Sequence, residues 1–132
     1  MIPEELKYSA DHEWVRIEGK KATIGITHHA QDQLGDIVFV EVPDVGTEIE
    51  KGGVFGVVES VKTVSDLFVP VSGKVVDQNK NLVESSDSFE PELINKSPYG
   101  DGWMITVEVA DESVFDELMD HAAYQALVES ES

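Results

Sequence analysis

The sequence predicts a mainly β protein: a sandwich of two similar β-units with a short N-terminal helix and a C-terminal helix. Three observations carry this reading. Short apolar runs alternate with polar residues and stop at glycine, proline and aspartate turns. The turn Val42-Pro43-Asp44-Val45-Gly46 is echoed 27 residues later by Val69-Pro70-Val71-Ser72-Gly73, and a short strand follows each copy, with Ile49 answering Val76. The tail, about 111–129, carries an apolar stripe of helical period.

The elements follow in order. Trp14 to Ile17 runs into the turn Glu18-Gly19-Lys20, after which Ala22, Ile24 and Ile26 alternate with Thr23, Gly25 and Thr27. That is a hairpin with one buried face. Thr27 caps a short helix through Gln33, with Gly35 just past its end. Ile37 to Val42 is a nearly unbroken apolar strand stopped by Pro43 and Gly46, and Ile49 sits in a short strand before Lys51-Gly52-Gly53. Val54–Val58 and Val64–Val69 are strands joined around Glu59-Ser60-Val61-Lys62-Thr63. Val75 and Val76 lie in a further strand, and Trp103 to Val109 form the last one. Residues 77–102 are polar and irregular, with one helical turn expected at Pro91–Ile94, proline leading. In the tail Val114, Phe115, Leu118, Met119 and Ala122 share a stripe that Tyr124, Leu127 and Val128 continue after a break near Asp120. Asp111 or Ser113 caps its start, and the helix is expected to cover one end of the β-core.

At 132 residues the chain is expected to form a single domain, 1–132, with its own core. It has no cysteine, which excludes disulfides, thiolate metal sites and thiol redox chemistry of its own. Nine basic residues stand against 27 acidic ones, a net charge of −18. Nucleic acid and anionic membrane surfaces are therefore poor partners, and basic protein surfaces good ones. No segment is apolar for long enough to span a bilayer. Met1-Ile2-Pro3-Glu4-Glu5 has neither a basic-then-apolar leader nor the arginines of a transit peptide. The expected location is the cytoplasm, with a mature mitochondrial form as the alternative.

Lys62 sits near the tip of the Val57–Leu67 connection, between the two units. A lysine there presents its amine on a long stem to other proteins. Local pattern alone does not separate a modified lysine from a solvated one.

The wider pattern resembles the H proteins of the glycine cleavage system along nearly the whole chain. The resemblance rests on spaced blocks: His12-Glu13-Trp14-Val15, Ile24-Gly25-Ile26-Thr27, Ala30-Gln31, and Leu34 to Val40. It continues in Phe55-Gly56-Val57-Val58-Glu59-Ser60-Val61-Lys62, Val64 to Leu67, Pro70 to Gly73, Pro91 to Asn95, and Ser97-Pro98-Tyr99-Gly100 with Gly102-Trp103. The resemblance implies a lipoyl-type barrel-sandwich hybrid and makes Lys62 the lysine that carries lipoic acid in amide linkage. Glu59 matches an acidic residue that such hairpins offer to the lipoylating enzyme. Gly46, 16 positions before Lys62, and Gly73, 11 after it, resemble the glycine spacing of lipoyl domains, where turns at positive φ would hold the hairpin for recognition. Biotin carriers share the architecture but favour methionines beside the lysine, whereas Val61 and Thr63 stand here.

The resemblance further implies a non-catalytic carrier, expected to be a monomer. Its partners would be a pyridoxal-phosphate (PLP) glycine decarboxylase, a tetrahydrofolate-dependent aminomethyltransferase and an FAD-containing dihydrolipoamide dehydrogenase. The aminomethyl group of glycine passes along the first two, and electrons pass to the third. The alternative is a lipoyl relay that supplies lipoyl groups to 2-oxoacid dehydrogenases. An unmodified structural or regulatory relative is a third reading. The cargo amine is cationic, so a cleft carboxylate should hold it, and Glu13 and Asp66 are the candidates. His28 stands where relatives commonly carry Asp, and the Asn81–Glu90 loop is slightly long for the family. No metal site is expected: His28 and His29 are adjacent and would not face one centre, and the remaining histidines are His12 and His121.

Overall fold

The computed structural model describes residues 2–131; Met1 and Ser132, at the two ends of the expected domain, lie outside them. Among the described residues, nine strands form two sheets. The larger runs in the order β1 (Lys7–Tyr8), β2 (Glu13–Glu18), β3 (Lys21–Ile26), β9 (Ile105–Glu108), β8 (Gly73–Gln78), β5 (Glu48–Ile49). The smaller holds β4 (Ile37–Glu41), β6 (Val54–Ser60) and β7 (Val64–Phe68), with β6 in the middle. Every strand pair is antiparallel, and the consecutive pairs β1–β2, β2–β3 and β6–β7 are hairpins. Buried side chains of both sheets form one apolar core, among them Val15, Ala22, Ile24, Val40, Val58, Leu67, Val75 and Val107.

The first hairpin is as the alternation predicts: Ala22, Ile24 and Ile26 are buried, and Glu18 pairs with Lys21 across the turn. In β4 and β6 the buried residues are spaced by three, Ile37 to Val40 and Phe55 to Val58. The register slips once in each strand, between Ile37 and Phe39 and between Val54 and Gly56. An extra residue there turns the following side chains to the other face. A third slip, between Val75 and Asp77, explains why the repeat is off by one in space. Ile49 is buried, but its burial counterpart is Val75, while Val76 is half-exposed.

The two echoed glycines have different reasons to be glycine. Gly46 has φ +99° in its turn, and its N–H donates to the Val75 carbonyl (2.7 Å). Gly73 has no positive φ. A Cβ on it would stand 2.6 Å from the Glu108 carbonyl oxygen of β9. Positive φ thus accounts for Gly46 only, and close strand approach accounts for Gly73. Gly73→Ala is expected to lower unfolding free energy by about 1–3 kcal/mol through overpacking, read from urea denaturation; an unchanged midpoint would contradict the close approach.

The irregular stretch contains a 3₁₀ turn, Lys80–Leu82, and helix α2, Leu93–Lys96. Pro91 is two residues ahead of α2 rather than within its first turn. The tail also differs from the expected stripe. Asp111 caps a 3₁₀ turn, Glu112–Glu117, and Met119 then bridges to Tyr8. Helix α3, His121–Glu131, begins after Asp120, whose carboxylate accepts from Ala123 N. The chain cannot remain α-helical through Met119, because that residue exchanges backbone hydrogen bonds with β1, a two-residue strand too short to read from periodicity. α3 covers one end of the core through a second cluster, Leu6, Tyr8, Trp14 and Tyr124, with Tyr8 and Tyr124 stacked at 4.6 Å.

Candidate functional site

The β6–β7 hairpin pairs Glu59 with Val64, leaving Val61, Lys62 and Thr63 as a three-residue tip. Ser60 organises it: its N–H donates to the Thr63 carbonyl, and its hydroxyl oxygen accepts from Lys62 N and Thr63 N, both at 3.1 Å. The tip leans on the turn between α1 (His28–Leu34) and β4, where Val61 N donates to the Asp36 carbonyl (3.0 Å). The Lys62 side chain crosses Gly35 so closely that a Cβ there would be 3.2 Å from Lys62 Cε. Lys62 is exposed, and Val61 beside it is 68% exposed.

The turn that braces the tip is itself fixed. Thr27 caps α1 by accepting from Ala30 N, and Gly35 ends it at φ +83°. Asn95 on α2 then clamps the turn: its oxygen accepts from Ile37 N (2.8 Å), and its amide donates to Gly35 O and Gln31 Oε1 (both 2.9 Å). Sequence reasoning missed this role. The signal was an amide in a family-matching block within an otherwise unreadable stretch. Asn95→Ala should cost about 1–3 kcal/mol by stranding Ile37 N–H and should loosen the tip, seen as faster amide exchange at Val61. Unchanged exchange there would mean that Asn95 does not brace the hairpin.

A cleft of about 280 Å³ opens beside the hairpin, between the β2 end, α1 and β7. Ile26, Ala30, Leu34, Val58 and Leu67 give it apolar walls, and Asp11, Glu13 and Asp66 give it carboxylates. Both predicted cleft carboxylates therefore line one space. Asp66 is exposed, opposite Val57 in the hairpin. Glu13 is only 2% exposed. Its Oε1 accepts from the Ser9 hydroxyl (2.7 Å) and its Oε2 from Phe68 N (3.1 Å). Those bonds favour the ionised form, but burial outweighs them and pushes the carboxyl up to about 8.

Glu59 lies at the end of β6, half-exposed, next to the tip. Gly46 and Gly73 are not at the hairpin. They lie around the β5–β8 pair of the larger sheet. His28 and His29 turn to different partners: His28 Nδ1 faces the Gln31 amide at 3.0 Å, while His29 Nε2 faces Glu131 at 3.6 Å. His12, 119 residues from Glu131, reaches the same carboxylate at 3.1 Å. No helix among the described residues is long and apolar enough to cross a membrane.

Two packed sheets, a lysine at a braced hairpin tip and an adjoining cleft place the chain in the lipoyl-type carrier fold. The family model for the glycine cleavage H-protein matches residues 6–131. The chain is 53% identical over 131 residues to the glycine cleavage system H protein of Carboxydothermus hydrogenoformans, covering 99% of this chain and 97% of the relative. It is 57% identical over 125 residues to that of Symbiobacterium thermophilum, with 95% and 94% covered. The crystal structure of a glycine cleavage system H protein from Mycobacterium marinum superposes with a TM-score of 0.83 at 39% identity, over 95% of this chain and 97% of that one. The chain belongs to the glycine cleavage H-protein family.

Proposed function

We propose that this protein is the lipoyl-bearing, non-catalytic carrier of a glycine cleavage system, with the prosthetic group in amide linkage to Lys62. The observation that carries the proposal is the exposed lysine on a hairpin tip braced by Ser60, Asp36 and Asn95 beside a cleft. In this reading the chain takes the aminomethyl group of glycine from the PLP-dependent decarboxylase to the tetrahydrofolate-dependent aminomethyltransferase. It then takes electrons to the FAD-containing dihydrolipoamide dehydrogenase. The residues present fit a lipoyl group: Lys62 supplies an accessible primary amine, and the aliphatic cleft walls suit a hydrocarbon chain. Once attached, the group supplies the dithiol chemistry that a chain without cysteine lacks.

The chain's own residues do the positioning. The fixed tip holds the attachment point, so a tethered cargo meets each partner at high effective concentration. Glu59 offers a charge to the lipoylating enzyme next to the tip, and the Gly46 and Gly73 contacts fix how the two β-units meet. Asp66 attracts a cationic amine into the cleft, and the cation's arrival favours loss of the Glu13 proton, after which Glu13 pairs with it. The acidic surface steers basic partner faces. The cytoplasm is the compartment this reading favours.

The test is incubation with lipoate ligase, lipoate and ATP, followed by intact mass and peptide mapping. One adduct, on Lys62, is expected; an unmodified chain would exclude every lipoyl-carrier reading. For the cleft, Glu13→Gln is expected to speed hydrolytic loss of the amine cargo. A rate equal to wild type would remove Glu13 from that role.

A further inference from the structure

The carrier role uses none of the four histidines, and the fold brings two of them together at the rim of the cleft. Among the described residues, His12, His29 and Glu131 place one potential ligand atom each within 4.8 Å of one another. Nε2 of His12 is 3.1 Å, and Nε2 of His29 3.6 Å, from the same Glu131 oxygen. Zinc bonds of about 2.0–2.1 Å in a tetrahedron set ligand atoms roughly 3.3 Å apart. These two contacts therefore already have the spacing of ligand edges. The imidazole rings stand 4.7 Å apart and are tilted by 41°, so a modest approach of the two rings completes the triangle.

We propose that His12, His29 and Glu131 form a site for a divalent first-row metal ion of the zinc kind, with a fourth position open toward the cleft. Two imidazoles and one carboxylate are a ligand set such ions accept with one position free. His12 has the outer partner that a ligating histidine needs. Its Nδ1 lies 2.8 Å from the Tyr124 hydroxyl, which lies 2.7 Å from Thr27 Oγ1. The tautomer with its proton on Nδ1, donated to Tyr124, leaves the Nε2 lone pair aimed at the site. Tyr124 is buried and stacked on Tyr8, so this partner is rigid. Among the described residues His12 alone combines a side chain with positive φ (+67°), a conformation retained where the surroundings dictate it. Asp11 and Asp66 line the same cleft and add a field that favours a cation.

The competing account is an ion pair between protonated imidazole and Glu131, worth little at such exposure. It predicts no specific metal affinity. The site would tie together the turn before β2, helix α1 and the last turn of α3, so metal binding should raise Tm.

The experiment is calorimetric titration of the metal-free, unlipoylated full chain with Zn²⁺, with Co²⁺ absorption reporting coordination geometry. Saturable binding of one equivalent is expected, with tetrahedral Co²⁺ bands and a Zn²⁺-dependent rise in Tm. His29→Ala and Glu131→Gln should each weaken binding by about tenfold or more, and Tyr124→Phe by about tenfold. His28→Ala, at a side chain turned to Gln31, should leave binding unchanged. Absence of saturable binding would overturn the proposal. So would equal affinity in wild type, His29→Ala and Glu131→Gln, which would mark diffuse association with an acidic surface.

Discussion

Lys62→Arg is expected to abolish glycine–bicarbonate exchange in a system reconstituted with the decarboxylase. The substitution keeps the charge and the long stem, so surface field, folding and docking are preserved. It removes the one chemical property the proposal requires, because a guanidinium stays protonated and does not form the amide. The structural cost should be small: Lys62 is exposed, and the hydrogen bonds that shape the tip come from Ser60 and the backbone of Val61, Lys62 and Thr63. Loss of exchange should therefore accompany an unchanged urea midpoint and no lipoyl adduct. Exchange at the wild-type rate would mean that the cargo rides elsewhere.

The second large effect concerns Glu13 and pH. Its carboxyl is raised from its ordinary 4.5 to about 8 by burial. Below pH 4.5 it is protonated in both folded and unfolded chains. Between about 4.5 and 8 the unfolded chain ionises while the folded one keeps its proton, so unfolding releases a proton and stability falls as pH rises. The slope from this one group approaches about 1.4 kcal/mol per pH unit, a few kcal/mol across the window. Glu13→Gln keeps one acceptor, for Phe68 N, and turns an amide N–H toward the Ser9 hydroxyl, but cannot ionise. The stability difference, variant minus wild type, should therefore grow from pH 5 to 8, and all other titrating groups cancel in it. Parallel stability curves would show that Glu13 ionises normally despite its burial. The same property bears on function: at neutral pH the free cleft presents a largely protonated Glu13, and an arriving cation exchanges with that proton, so cargo retention should strengthen with pH.

Much of the fold was legible because its signals are local. Alternation in Ala22, Ile24 and Ile26 requires no partner to be read, and the Thr27 cap and Gly35 stop bound α1 to within a residue. The bulges were not legible: the run Ile37–Val40 is apolar at every position, and only pairing with β6 shows that Ile37 and Val40, not alternate residues, face the core. The 3₁₀ turn and Met119 bridge were hidden because the tail's helical stripe is genuine in sequence but interrupted by a backbone contact with Tyr8. The family's glycine spacing implies a positive-φ turn at Gly73, yet its requirement comes from Glu108 of β9.

For the site, Lys62 was legible as a tip lysine and Asp66 as a carboxylate four residues from it, while Glu13 entered only through the block shared with the H-protein family. That they share one cleft depends on β2 and β7 meeting, which no spacing announces. That adjacent His28 and His29 would not face one centre was legible; what His12 meets was not. His28 and His29 diverge, whereas His12 and His29 converge on a residue at the far end of the chain.

If the modified chain is the working carrier of glycine cleavage, lipoylation alone switches it on. The most direct measurement compares lipoylated and unlipoylated wild-type protein, identical in sequence, in reconstituted glycine–bicarbonate exchange with the PLP-dependent decarboxylase. The account predicts saturable stimulation by the lipoylated form and none by the unmodified one. A lipoylated chain that fails to stimulate exchange would contradict it.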